Sequence, residues 1–196
     1  MKILPDSLNW RRDIFTIPNI LSTCRIILVP IYLSVILNAK DDTDFYWAAA
    51  LILLSGLTDL LDGWIARKFN LITELGKLLD PVADKLTQAA LAFSLIIYHP
   101  QMWSVAILLV IKELFMLISG WLLLKKNMKL DGAKWFGKVS TAVFYVTMFV
   151  LLLFPNLSTP INNALIWLTV AFLLLSFILY IREYYYLFKK TKKAGS

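Results

Sequence analysis

Six apolar stretches, at 20–37, 46–61, 78–98, 102–124, 139–154 and 161–181, constrain this chain more than any other feature of its sequence. Most of them approach the roughly 20 residues that a helix needs to cross a bilayer. The second and fifth are short, and the second continues as helix through Asp62 and Ala66 into the headgroup zone, where polar residues on a membrane helix cost least. Composition agrees: 59% of the 196 residues are hydrophobic, 17% are charged and the mean hydropathy is +0.70. That is too apolar for an average soluble domain. Seven Trp, eight Tyr and twelve Phe argue against disorder, and seven Gly and seven Pro exclude a collagen-like or low-complexity chain. The expected fold is all-α, a polytopic integral membrane protein with six transmembrane helices. One Cys, Cys24, and one His, His99, leave no thiolate or imidazole cluster, so any metal must bind to carboxylates.

Residues 1–19 are expected to form an interfacial segment, with 20–186 as the membrane domain and 187–196 as a basic tail. The first of these mixes Leu8, Trp10, Ile14 and Phe15 with Arg11, Arg12 and Asp13, as a helix lying under the bilayer would. No signal peptide or internal repeat is evident. Outside the spans, sixteen Lys and Arg fall on one side of the six-span arrangement and only Lys40 on the other. The positive-inside rule then puts both termini, and the connections after the second and fourth spans, in the cytoplasm. The net charge of +7 points to topology and anionic lipid rather than to nucleic acid, because the basic residues sit beside the spans.

The stretch DLLDGWIARKFNLITELGKLLDPVAD, from Asp59 to Asp84, carries the chemistry. Asp59 and Asp62 are spaced i,i+3 and Asp80 and Asp84 i,i+4, so each pair projects from one helix face, and the short connection lets the two faces oppose. Four converging carboxylates repel unless cations neutralise them, and hard oxygen ligands suit Mg2+ or Mn2+, two ions for that much charge. Gly63, Gly76 and the small Ala66 let a flat ring or a phosphate approach the backbone, and Arg67 offers a planar guanidinium to a diphosphate. Pro81 cannot donate to the carbonyl of Lys77, which loosens the helix beside Asp80. The plain alternative, a solvated rim balanced by Arg67, Lys68, Lys77 and Lys85, fits a random membrane protein better than it fits this spacing.

Asp59, Asp62, Gly63, Ala66, Arg67, Gly76, Asp80 and Asp84 fill all eight fixed positions of D-x2-D-G-x2-A-R-x8-G-x3-D-x3-D, and with them the chain resembles the CDP-alcohol phosphotransferases. The resemblance extends from IPNILSTCR at 17–25 to FGKVSTAV at 136–143. It implies six membrane helices, a homodimer, and transfer of a phosphatidyl group from CDP-diacylglycerol to an alcohol with release of CMP. It also implies that Asp59, Asp62 and Asp80 are metal ligands, that Asp84 is both ligand and general base, and that Gly63, Ala66, Arg67 and Gly76 line the CDP site. Asn19 matches the first-helix asparagine of that family, and Ser22 stands where Thr is usual.

For the acceptor, two readings stay open. Members using glycerol 3-phosphate usually carry Arg, Arg and Lys where this chain has Lys112, Gly120 and Ser140. A doubly charged headgroup profits from such a cluster, so its partial loss favours phosphatidylglycerol, as in the CMP-forming cardiolipin synthases. Glycerol 3-phosphate remains the alternative, because Arg25, Lys112, Lys134 and Lys138 can hold an acceptor phosphate. A bacterial plasma membrane is the expected location. A carboxylate-lined cation transporter is a remote alternative: it needs acidic residues near the midplane, whereas all four aspartates lie at one edge. Cys24 is expected in the core, Tyr184, Tyr185 and Tyr186 in an interfacial aromatic belt, and Glu113 paired with Lys112.

Overall fold

The computed structural model describes residues 16–69, 71, 73–125 and 134–194, with side chains described through Lys189. The expected interfacial segment lies outside them, apart from its last few residues. Six long helices follow in order: α1 (Ile17–Leu37), α2 (Asp42–Lys68), α3 (Glu74–Ser94), α4 (Met102–Leu124), α5 (Trp135–Leu153) and α6 (Thr159–Ala194), with a short 3-10 turn at Leu95–Ile97 after α3. No strand occurs among the described residues. Five of the six, all but α3, are long and apolar enough to cross a membrane. The exception has a sequence cause: Glu74, Lys77, Asp80, Asp84 and Lys85 crowd the first half of α3. The last helix runs to Ala194, through the residues read as a basic tail.

Local rules account for the helix ends. Asp41 caps α2, its side chain accepting from the backbone N–H groups of Thr43 at 2.9 Å and Asp44 at 3.3 Å. Arg67 and Lys68 in the last turn of α2 complement its dipole. Lys68 also lies over the Trp64 ring, 4.3 Å from its centroid.

The described chain forms two compact units, one holding α1–α3 and the other α4–α6. In the first, α1 packs along both α2 and α3. Ala48 and Ala49 of α2 and Ala83, Ala90 and Ala92 of α3 are buried, and such small residues let helix backbones approach closely. Tyr32 and Ser94 join α1 to α3 by a buried hydroxyl–hydroxyl hydrogen bond of 2.8 Å. Cys24, by contrast, is exposed on α1, a correction to its expected core position.

In the second unit, Leu123, Phe136, Tyr180 and Tyr184 form a buried cluster. Phe136 meets Tyr180 edge-on at 4.7 Å and Phe115 meets Tyr184 at 5.7 Å. Tyr184 is therefore core, and only Tyr185 and Tyr186 of the expected belt are exposed. Thr169 donates to Thr147 at 2.8 Å, pinning α6 to α5. Burial pushes the His99 imidazole below its usual pKa, which keeps it neutral at pH 7.

Gly137 makes the Tyr180 contact possible: a Cβ there would stand 2.2 Å from the Tyr180 hydroxyl oxygen and 3.0 Å from the ring carbon bearing it. Gly137→Ala is therefore expected to cost about 1–3 kcal/mol. Tyr180→Phe, by removing the nearest atom, should restore part of that loss in the double variant. Thermal unfolding of the detergent-purified single and double variants measures both effects, and additivity of the two substitutions would refute the contact.

Candidate active site

The signature aspartates lie at the C-terminal end of α2 and in the first half of α3, and it is α1 that brings them together. Arg25, buried on α1, donates through Nη1 to Asp59 and through Nη2 to Asp62 Oδ2 at 2.9 Å, and Nη2 lies 3.7 Å from Asp80 Oδ1. One turn earlier, Ser22 Oγ is within hydrogen-bond distance of Asp80 Oδ1, Asp62 Oδ2 and the Pro18 carbonyl. A hydroxyl has one proton to donate, so most of the charge balance between these carboxylates falls to Arg25. Asp62 is buried, whereas the side chains of Asp59 and Asp80 are about half exposed, at 53% and 48%. The site thus opens on the Asp59 and Asp80 side.

Asp84 lies outside this set. It is half-buried and accepts from Gln88 Nε2 at 3.0 Å. Gln88 is missing from the sequence-based site, although its i+4 spacing on the same helix face is the signal that finds it.

Asn19 is held by Thr73: its Nδ2 donates to Thr73 Oγ1 at 2.9 Å, and the Gly76 N–H donates to the same Oγ1 at 2.9 Å. The latter bond is an N-cap, with Thr73 directly before the first residue of α3 and Gly76 three residues on. A Cβ on Gly76 would stand 2.6 Å from Asn19 Oδ1 and 3.1 Å from Thr73 Oγ1. The space that Gly76 leaves is thus occupied by the protein's own Asn19. Gly63 differs. A Cβ there would meet only the far end of Arg67, at 3.6 Å or more, so the guanidinium of Arg67 folds over the Gly63 backbone and the half-buried Ala66 lies one turn beyond Asp62.

Among the described residues, no three His, Cys, Asp or Glu side chains are arranged to hold a metal ion. The Arg25 guanidinium donates to the carboxylates of Asp59 and Asp62. In donor chemistry the residues do suit a hard divalent cation: three carboxylates gathered on one guanidinium, with that of Asp84 four residues after Asp80 on the same helix.

The other expected acceptor residues belong to the second unit. Lys112 is buried, with Nζ 3.7 Å from Glu113 Oε1, and Lys134 Nζ lies 3.9 Å from Glu183 Oε1. Lys138 is exposed. Ser140 is fully buried and donates to the Gly137 carbonyl at 3.0 Å, and a Cβ on Gly120 would meet the Tyr184 hydroxyl at 3.6 Å.

Comparison with known proteins bears on this arrangement. The model of the CDP-alcohol phosphatidyltransferase family matches residues 15–175. The CDP-diacylglycerol–glycerol-3-phosphate 3-phosphatidyltransferase of Bacillus subtilis (strain 168) is 31% identical over 178 residues, covering 83% of this chain and 91% of that protein. The protein of the same name from Escherichia coli (strain K12) is 34% identical over 148 residues, 73% of this chain and 80% of that one. The CMP-forming cardiolipin synthase of Streptomyces coelicolor is 47% identical over 75 residues, 37% of this chain and 35% of that protein.

The two glycines should respond differently to a methyl group. Gly76→Ala is expected to lower stability by about 1–3 kcal/mol because Asn19 or Thr73 must move. Gly63→Ala should be neutral or slightly stabilising, as for an unconstrained helix glycine. Thermal unfolding of the two variants side by side tests this, and an equal loss in both would refute the Asn19–Thr73–Gly76 clamp.

Proposed function

Because the chain belongs to the CDP-alcohol phosphatidyltransferase family, we propose that it transfers a phosphatidyl group from CDP-diacylglycerol to a glycerol-type alcohol, releasing CMP, with Asp84 as the general base. One observation carries the assignment of roles: α1 gathers Asp59, Asp62 and Asp80 on a single guanidinium and leaves Asp84 on a separate partner, Gln88. Three carboxylates thus share the Arg25 guanidinium, and the fourth accepts from the Gln88 amide.

An alcohol is too weakly acidic to attack phosphorus unaided. Asp84 takes the proton from the acceptor hydroxyl as that oxygen attacks the lipid-side phosphorus. The new P–O bond joins acceptor to phosphatidyl, the old P–O bond to CMP breaks, and its electron pair leaves with CMP, which needs no acid. Asp59, Asp62, Asp80 and Asp84 would hold Mg2+ or Mn2+, which would supply neutralisation of the diphosphate charge when bound. Asn19, Ser22, Gly63, Ala66, Arg67 and Gly76 border the nucleotide in this reading, with Gly63 and Arg67 in contact with it and Asn19 and Gly76 shaping its floor. The active site and both termini face the cytoplasm of a bacterial plasma membrane, as the distribution of Lys and Arg supports. Two copies assemble as a homodimer.

Phosphatidylglycerol is the acceptor we favour, which makes the reaction that of a CMP-forming cardiolipin synthase. Of the basic residues expected to hold acceptor phosphate, Arg25 is committed to carboxylates and Lys112 and Lys134 each lie beside a glutamate. Lys138 is exposed, and a phosphodiester with one charge needs fewer cations than a phosphate with nearly two. Glycerol 3-phosphate is the second reading. Its support is the name of the relatives matched over most of the chain.

Asp84→Asn keeps an acceptor for Gln88 but removes the base, so it should fold normally and lose about 10²–10⁴-fold in kcat. CMP release from CDP-diacylglycerol in detergent, with an unfolding scan of the same sample, reads both, and full activity would exclude Asp84 as the base. Thin-layer separation of the lipid product, with phosphatidylglycerol and glycerol 3-phosphate offered in turn, decides the acceptor: cardiolipin is expected, and product from glycerol 3-phosphate alone would overturn that choice.

A further inference from the structure

Arg25 is grouped by sequence with the acceptor lysines, yet its side chain is 3% exposed and turned to the signature carboxylates of both α2 and α3. Its two terminal nitrogens serve Asp59, Asp62 and Asp80, while its Nε, also buried, has no hydrogen-bond partner. The guanidinium is therefore placed by charge balance with carboxylates and not by a full set of hydrogen bonds. A buried Asp62 without a neighbouring cation would be costly, and Asp80 and Asp59 beside it would add repulsion. The lone pairs that Arg25 occupies are those a divalent cation would need, and one oxygen cannot serve both ions with full strength.

We propose that Arg25 is an exchangeable internal counter-ion: it holds Asp59, Asp62 and Asp80 together while no divalent cation is bound, and yields their oxygens when the cations load. Arg25 is in this sense a positioning residue. It keeps the carboxylates assembled between turnovers, and it makes cation binding a competition. Asp84 is not among the carboxylates that Arg25 contacts, and it accepts from Gln88. The inference rests on the metal-dependent reading of the site, and the experiment separates the two.

Wild type, Arg25→Met and Arg25→Lys are purified in detergent. Thermal unfolding is followed in EDTA and in Mn2+, and Mn2+ affinity is measured by the paramagnetic resonance signal of the free ion. In the wild type, the rise in unfolding temperature from EDTA to Mn2+ should be smaller than in Arg25→Met. Arg25→Met should unfold several degrees lower in EDTA, recover in Mn2+, and bind Mn2+ at least about tenfold more tightly, since a competing unit charge has gone. Arg25→Lys, which keeps the charge but cannot span three carboxylates, should fall between them in both measures. A purely structural arginine would lower stability without tightening Mn2+ binding, and that result overturns the proposal. So does unchanged behaviour of both variants. Should Arg25→Met fail to fold in either condition, Arg25→Lys decides by the same two readings. No Mn2+ binding by any of the three proteins overturns the metal-dependent reading itself, whereas equal binding by all three overturns only the role given to Arg25.

Discussion

Negative charge gathered at a helix junction is the constraint on which the first unit depends. Two aspartates end α2 and two begin α3, and neither pair can be brought to the other without a cation between them. The chain supplies that cation from α1, through Arg25, and α1 accordingly packs along both partners. The small buried residues follow from the same demand. A guanidinium reaches carboxylates on two helices only if the backbones approach closely, which the alanines of α2 and α3 permit. Below the charged end, the Tyr32–Ser94 hydrogen bond ties α1 to α3 again, so the Arg25 register is fixed from two points.

The second unit solves a different problem with aromatic rings. Two of its lysines lie beside glutamates, Lys112 by Glu113 and Lys134 by Glu183, and Phe115, Phe136, Tyr180 and Tyr184 pack its aromatic cluster. The hydroxyls of the two tyrosines fit against glycines on neighbouring helices, Gly137 and Gly120. Within this unit, charge contributes little to architecture and shape contributes most.

Much of this is legible in the sequence, and the part that is not has a physical reason. Apolar runs of near-membrane length leave few alternatives to helices, and the run read at 102–124 folds as Met102–Leu124. The spacing of Asp59, Asp62, Asp80 and Asp84 is legible because helix geometry fixes which of them share a face. Cys24 marks the limit. A helix that is mostly apolar on every side shows a weak inward stripe, so periodicity cannot say on which side of α1 Cys24 falls, and three consecutive tyrosines beside Arg182 do not show which of them turns inward. The partners of Arg25 are illegible for another reason: sequence gives a charge within α1 but not which of several carboxylates it meets. Thr73 and Gln88 could have been found, one as an N-cap and one by its i+4 spacing from Asp84.

Gly63 and Gly76 are both fixed positions of the signature, but the fold treats them unequally. At Gly76 the room is taken by Asn19, and any side chain collides with the protein itself; at Gly63 the first atom met is the flexible end of Arg67. The demand at Gly76 is thus inherited with the architecture, and that at Gly63 only with the chemistry. In a lineage that kept this helical scaffold but abandoned its reaction, drift would be free to erase Gly63 and would still be barred from Gly76. The order in which the motif decays would record which of its positions serve the fold.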